Sequence, residues 1–189
     1  AFIRNLRPTN PNPEGIRPYS LEELLGPARD LLLIANTGLV IADSPTPLAH
    51  FPGAVETDDG AVLIPTGGGM PMLASAQTKI VEPRLQFAPL AREMSIDRDR
   101  GAAAFIPILS AEGSLGQSVL AGSALTASVN KHAMESQYVR MDYELSSSAY
   151  LQISYSYYPY LRVTIDGAEV ETFPTAFGLI GLQSPAGGH

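Results

Sequence analysis

Tyrosine is the residue type with the clearest chemical use in this sequence, since six of the eight tyrosines lie between positions 143 and 160. A tyrosine ring can stack its apolar face on a sugar ring, and its hydroxyl can hydrogen-bond to the sugar oxygens. Strand alternation places Tyr155 and Tyr157 beside apolar residues, so we expect both rings in a core. Tyr158 and Tyr160 flank Pro159 where that strand ends, and we expect these two rings to be exposed.

Tyr158, Tyr160 and Arg162 are therefore the candidate ligand contacts. Arg162 alternates with the apolar residues of the next predicted strand and lies on its polar face, so it joins the two tyrosines in this set. The simpler interpretation is that the tyrosines only shape the fold, and the alternative is that they contact a glycan or a partner protein. The sequence alone leaves both interpretations open.

The glycine-rich loop, the histidines and the acidic pair of this sequence do not have the spacing of known phosphate or metal sites. The loop Thr66–Gly69 could cradle a phosphate, but it lacks the Gly-Lys-Ser/Thr ending of a phosphate-binding loop, so we interpret it as a plain loop. His50, His132 and His189 are too far apart in the sequence to suggest a metal site. The pair Asp58–Asp59 lacks the spaced ligands of an EF-hand. The sequence thus predicts no catalytic residue, no metal ligand and no cofactor.

A predicted antiparallel sheet positions the tyrosines. Apolar and polar residues alternate from 161 to 165, and residues 168–173 can return as the partner strand. Between them, Asp166 and Gly167 supply the two positive-φ positions of a type I′ turn. Pro159 ends the preceding strand because it has no N–H to donate. Further strands are predicted at 139–145, 151–157 and 178–182.

The first half of the chain mixes predicted helices and strands. Ser20–Glu23 matches a capping box that starts a short helix, and a second helix is predicted from Pro27 to about Ala35. The apolar run Leu39–Ala42 reads as a buried strand of an α/β element. Strands are also predicted at Ala61–Pro65 and Thr78–Glu82.

These elements predict an α+β fold that is mainly β. A small N-terminal α/β segment with an extended arm is expected over residues 1–88, and an antiparallel β-sandwich is expected over residues 89–189. The sandwich is expected to lack its last strand and to have an incomplete sheet edge, because Pro185–His189 leads toward a strand that is not there.

Composition narrows the classes of function. The 189 residues carry a formal net charge of −7 and include no cysteine. Such a chain has no basic patch to neutralise phosphates, which argues against nucleic acid as a partner and equally against an anionic membrane surface. The longest apolar run, Leu31–Ala42, is too short for a membrane span of about 20 residues.

The C-terminal residues carry a family resemblance. The run from Leu151 to Gly167, followed by Phe177–Leu182 and Pro185–His189, resembles the C-terminal extracytoplasmic region of large bacterial multispanning membrane proteins of the YfhO type. Those proteins look like relatives of the lipid-linked-sugar glycosyltransferases of the GT-C class. Here Tyr160-Leu161 stands where the family usually has Gly-Trp, and the chain has no tryptophan.

This resemblance implies a noncatalytic extracytoplasmic domain, periplasmic or at the cell surface, that is tethered to the membrane in a longer protein. It implies that the domain holds a glycan, a lipid-linked sugar or a neighbouring part of the parent membrane protein. The alternative is an independent periplasmic or secreted β-sandwich that binds carbohydrate or protein. A third function, hydrolysis of glycosidic bonds, would need two carboxylates about 5–10 Å apart in a cleft.

Overall fold

A computed structural model of the chain describes residues 25–26, 29–43, 53–82, 87–109, 119–120, 124–135 and 138–189. These residues form a mainly β fold with several antiparallel sheets, which confirms the predicted fold class. Among them, no helix has the length and hydrophobicity that a bilayer span needs. The predicted capping box lies outside the described residues. The chain divides into two compact units, Ala1–Gly69 and Met70–His189.

The first unit combines a helix with a three-stranded antiparallel sheet. Helix α1 spans Arg29–Ile34 and buries Leu32, Leu33 and Ile34. The strands are β1 (Leu39–Asp43), β2 (Val55–Glu56) and β3 (Ala61–Pro65). Their order in the sheet is β1-β3-β2. The positions of α1, β1 and β3 agree with the sequence predictions.

The prediction that β1 is a buried strand of an α/β element is wrong. β1 is an edge strand of an antiparallel sheet, and its residues Leu39 and Ile41 are 44% and 41% exposed. Val62 and Ile64 of the central strand β3 are buried instead. A short apolar run looks the same in a buried parallel strand and in a partly exposed edge strand, so the pattern could not distinguish them.

The second unit contains helix α2 (Phe87–Glu93) and the remaining strands. These are β4 (Met72–Ser75), β5 (Thr78–Val81), β6 (Ile106–Leu109), β7 (Ala127–Met134), β8 (Val139–Leu145), β9 (Ala149–Ser156), β10 (Thr164–Ile165), β11 (Ala168–Glu169), β12 (Thr172–Pro174), β13 (Leu179–Ser184) and β14 (Gly187–Gly188). One sheet has the order β12-β13-β9-β4, and another has the order β14-β8-β7. β5 and β6 form a parallel pair, and β10 and β11 form a hairpin.

The two larger sheets share one apolar core. Leu151 and Ile153 of β9 pack in the same cluster as Tyr143 and Leu145 of β8 and Leu182 of β13. Successive residues of a strand point to opposite faces, so every second residue of β8 and β9 contributes a side chain to this core, as the predicted alternation requires. The predicted antiparallel sandwich is therefore present in this unit.

Strand β4 accounts for the start of the second unit. Its residues Met72–Ser75 pair with β9, so the chain enters the C-terminal sheet shortly after Gly69. The boundary that we predicted, between residues 88 and 89, lies further along the chain, within helix α2. No local turn or composition signal marks a strand whose partner lies so far away in the sequence.

The predicted turn at Asp166-Gly167 is confirmed. The two residues have φ angles of 51° and 83°, the pair of positive values that a type I′ turn requires. β10 and β11 are shorter than the predicted strands, although Val170 N–H still donates to the Val163 carbonyl at 3.0 Å. The chain then leaves the hairpin because β12 pairs with β13 instead.

Replacing Gly167 with valine should lower the free energy of unfolding by about 1 kcal/mol or more, because a β-branched residue resists a positive φ. A Cβ at this position would meet nothing within 4 Å, so the cost comes from the backbone alone. Gly188→Val is the matched control, since Gly188 also has open space but lacks a positive φ. Thermal unfolding of both variants measures the difference. Equal melting temperatures for Gly167→Val and the wild type would contradict the turn assignment.

The segment Pro185–His189 contains the last strand, β14. It pairs with Leu145 and Glu144 of β8. The backbone of His189 then exchanges two hydrogen bonds with Tyr143, at 2.8 and 3.0 Å. The segment that we expected to lead toward a strand thus forms a short strand itself, and it covers β8 only from Leu145 to Tyr143.

Candidate functional site

The structure brings Tyr158 and Tyr160 together as an exposed pair, which we call the tyrosine pair. Leu161 N–H donates to the Tyr158 carbonyl at 3.0 Å and closes a tight turn over Pro159. The two rings stack with centroids 5.6 Å apart and an interplanar angle of 22°. Tyr158 is 49% exposed and Tyr160 is 82% exposed. Because stacking covers one face of each ring, the exposure of Tyr160 leaves its other face to solvent.

The neighbouring tyrosines have structural contacts, as their alternation predicts. Tyr155 and Tyr157 are partly buried and pack against the sandwich core. The Tyr155 hydroxyl lies 2.7 Å from Nε2 of His132, and the two rings meet edge to face. Burial raises the pKa of the Tyr155 hydroxyl. His132 is therefore a partner of this tyrosine.

Arg162 contacts an acidic residue across the hairpin. Its Nε lies 3.5 Å from Oε2 of Glu169, and both side chains are exposed. An exposed ion pair of this kind contributes at most about 1 kcal/mol, so a ligand can displace it at low cost. Glu169 was not a candidate in the sequence. It is paired with Thr164, and the Arg162 side chain reaches it diagonally across the hairpin. The site thus combines an aromatic surface with a cation and a carboxylate from the hairpin segment that follows.

Asp166 has a second contact that the sequence did not predict. Its Oδ2 lies 2.7 Å from Nδ1 of His189, which connects the hairpin turn to the segment that forms β14. The His189 side chain is 9% exposed, and its ring lies 5.3 Å from that of Tyr143. Asp166 therefore has a structural contact in addition to the turn that it forms with Gly167, and His189 is its partner.

Tyr143, whose ring lies beside that of His189, is buried. Its hydroxyl lies 2.9 Å from Oγ of Ser184 in a buried hydrogen bond. Burial raises the pKa of Tyr143 above the ordinary value of 10.0; the hydrogen bond to Ser184 opposes that rise, and the charge of Asp166 adds to it. Folding therefore favours the neutral form of Tyr143.

The stability contributed by neutral Tyr143 should be complete below pH 10.0 and should be lost as the pH rises above that value. We expect the wild type to lose more free energy of unfolding than the Tyr143→Phe variant between about pH 9 and pH 11. Urea unfolding of both proteins at the two pH values measures this difference. The same pH dependence in both proteins would show that this hydroxyl is not desolvated by folding.

The other candidate groups have local partners. The Thr66 hydroxyl donates to the carbonyl of Thr37, and the Thr66 carbonyl accepts from Arg29 at 3.1 Å, which supports a structural loop. Asp59 accepts from the Thr57 hydroxyl, and this hydrogen bond lowers the pKa of the Asp59 carboxyl. In the described ranges, no group of three or more histidine or acidic side chains is placed to hold a metal ion.

A cleft of about 390 Å³ lies beside β12 and β13. Its lining includes the Phe173 ring, the Gln183 amide, the Ser148 hydroxyl and a single described carboxylate, that of Glu171. Glycosidic hydrolysis uses two carboxylates across the scissile bond. The lining therefore gives the hydrolytic alternative no support.

Comparisons of the chain with protein-family models, with curated proteins and with solved structures give no match.

Proposed function

We propose that this chain is a noncatalytic extracytoplasmic domain that holds a glycan at the tyrosine pair, within a bacterial multispanning membrane protein of the type it resembles. The observation that carries the proposal is the exposed stack of Tyr158 and Tyr160. Tyr160 is 82% exposed, so its ring contributes little to a core. Large aromatic side chains are enriched at binding surfaces.

The geometry suggests how a sugar would bind. The apolar face of a sugar ring would stack on the solvent-facing side of Tyr160, and the stack with Tyr158 would hold that ring in place. Arg162 would donate to the sugar hydroxyls, and Glu169 would accept from them. Both residues are exposed and only weakly paired with each other. A lipid-linked sugar would present the same ring and hydroxyls, so it belongs to the same ligand class.

An independent periplasmic or secreted binding module is the second candidate. It is favoured by the core of the second unit, whose buried cluster from Met72 to Leu182 lies entirely within that unit. Both candidates use the same binding surface. They differ in whether the reading frame around the chain encodes apolar segments of about 20 residues.

Tyr160→Ala should weaken glycan binding at least tenfold, or about 1.4 kcal/mol, because it removes the stacking face. A glycan array would select the ligand, and a titration followed by tyrosine fluorescence would then measure its affinity. Tyr138→Ala is the matched control, because Tyr138 is also exposed, at 58%, but lies beside β8 and outside the tyrosine pair.

Two results would contradict this function. A flat response across diverse glycans would remove carbohydrate as the ligand and favour a scaffold role. Equal losses of affinity in the Tyr160→Ala and Tyr138→Ala variants would mean that the sugar binds elsewhere.

A further inference from the structure

The cleft beside β12 and β13 begins where the pairing of these two strands ends. The last pair of their ladder is Thr172 with Leu182. Continuation of the same register would place Glu171 opposite Gln183, but the chain before β12 belongs to the hairpin, where Val170 N–H donates to the facing strand. Within the ladder that the structure describes, Glu171 and Gln183 are therefore not paired, and both line the cleft.

Part of the cleft surface is apolar. Val170, Pro185 and the ring of Phe173 line it. Gly181 has no side chain, and the Phe173 ring lies directly over its backbone, which holds that ring against β13. The volume of about 390 Å³ is within the range of small-molecule sites, about 300–1,000 Å³. The cleft therefore has both the space and the apolar surface for the carbon skeleton of a small organic ligand.

Three exposed polar side chains of the lining can accept hydrogen bonds. The Glu171 carboxylate only accepts, and the Gln183 amide and the Ser148 hydroxyl each include an acceptor oxygen. Among the described residues, no lysine, arginine or histidine lines this cleft, and none of them forms an ion pair with Glu171. A ligand with a positive charge would therefore meet a carboxylate that it does not have to separate from a cationic side chain.

We propose that this cleft binds a small organic molecule that carries a primary ammonium group. Such a group has three N–H donors and no acceptor, which matches the acceptors of Glu171, Gln183 and Ser148. Its charge strengthens the hydrogen bond to the carboxylate, and the Phe173 ring attracts a cation as well. The carbon skeleton contacts the apolar part of the lining. No residue of the tyrosine pair lines the cleft, so this site is independent of glycan binding there.

Cyclohexylammonium chloride tests the proposal on the full chain, at about pH 7 in a buffer without amines. Nuclear magnetic resonance would follow the backbone amides and the side-chain amide of Gln183. We expect saturable shifts at Glu171, Phe173 and Gln183. Cyclohexanol has nearly the same shape but no charge, and it should bind at least about tenfold more weakly. A lack of saturable shifts at these residues, or equal affinity for the two compounds, would overturn the proposal.

A trimethylated analogue separates the charge from the hydrogen bonds. Cyclohexyltrimethylammonium keeps the positive charge but has no N–H to donate. The acceptors of the cleft would then lose their water without gaining a partner, so this compound should bind at least about fivefold more weakly than cyclohexylammonium. Equal affinity for the two cations would show that the cleft recognises charge alone, and it would overturn the assignment of a primary ammonium group.

Two charge-removing variants test the place of binding. Glu171→Gln should lose at least about tenfold in affinity for cyclohexylammonium and should keep its affinity for cyclohexanol. Glu171 is exposed, so this substitution should leave the fold intact. Glu144→Gln is the matched control, since Glu144 is an exposed carboxylate on β8 that does not line the cleft. Equal losses of affinity in the two variants would mean that the amine responds to the overall charge of the chain, and that result would overturn the proposal.

Discussion

Gly101→Ala should lower the free energy of unfolding by about 2–4 kcal/mol, because the added methyl group meets both a backbone clash and an unfavourable φ. Gly101 has a φ of 62°, which L side chains rarely adopt. A Cβ there would lie 2.2 Å from the Ala127 carbonyl oxygen, so the backbone at the start of β7 would have to move. Gly101 also accepts a hydrogen bond from Ala74 of β4 at 3.0 Å. The substitution would therefore disturb strands of both sheets.

Gly178→Ala is the matched control for this effect. Gly178 has a similar φ of 70°, but a Cβ there would meet nothing within 4 Å. It should therefore show only the backbone cost, about 1 kcal/mol. Urea unfolding of the two variants separates the steric contribution from the backbone contribution. Equal losses of free energy of unfolding in the two variants would mean that β7 moves to accommodate the added methyl group without a measurable cost.

Features that depend on adjacent residues could be predicted from the sequence. The turn at Asp166-Gly167 is determined by two neighbours with a shared preference for positive φ, and its angles agree with the prediction. The exposure of Tyr158 and Tyr160 was predictable from Pro159, because a proline after an alternating run indicates that the strand has ended, and β9 ends at Ser156. The strand periods of β8 and β9 were predictable for the same reason, since the alternation is local.

Features that depend on distant contacts could not be predicted. β4 pairs with β9 although most of the sequence of the second unit separates the two strands, and no pattern in residues 72–75 indicates that partner. The contact between His189 and Asp166 likewise depends on tertiary placement. The pair Arg162–Glu169 lies within the predicted hairpin, but it depends on side chains that meet diagonally and not as paired residues. The sequence therefore predicted the exposed tyrosines of the candidate site, because their exposure depends on neighbouring residues. It did not predict the acidic partner of Arg162.

Gln152 is the clearest case in which tertiary contacts override a local pattern. Alternation along β9 predicts that it lies on a polar face, yet it is fully buried. It is paired with Leu73 of β4, which is also buried, and with Gly181 of β13. Phe173 covers Gly181, since a Cβ there would lie 2.2 Å from that ring. This second face of the sheet is therefore covered too, and β6 lies near β9.

Gln152→Met should raise the free energy of unfolding by about 1–2 kcal/mol, because neither its Oε1 nor its Nε2 has a hydrogen-bond partner among the described residues. Methionine has a similar length and leaves no polar atom to desolvate. Gln183→Met is the matched control, since Gln183 is exposed on β13 and should change stability by less than about 0.5 kcal/mol. Urea unfolding measures both. A loss of stability in Gln152→Met alone would show that the buried amide has a partner, because removing one half of a buried hydrogen bond is costly, whereas removing an unpaired group is not.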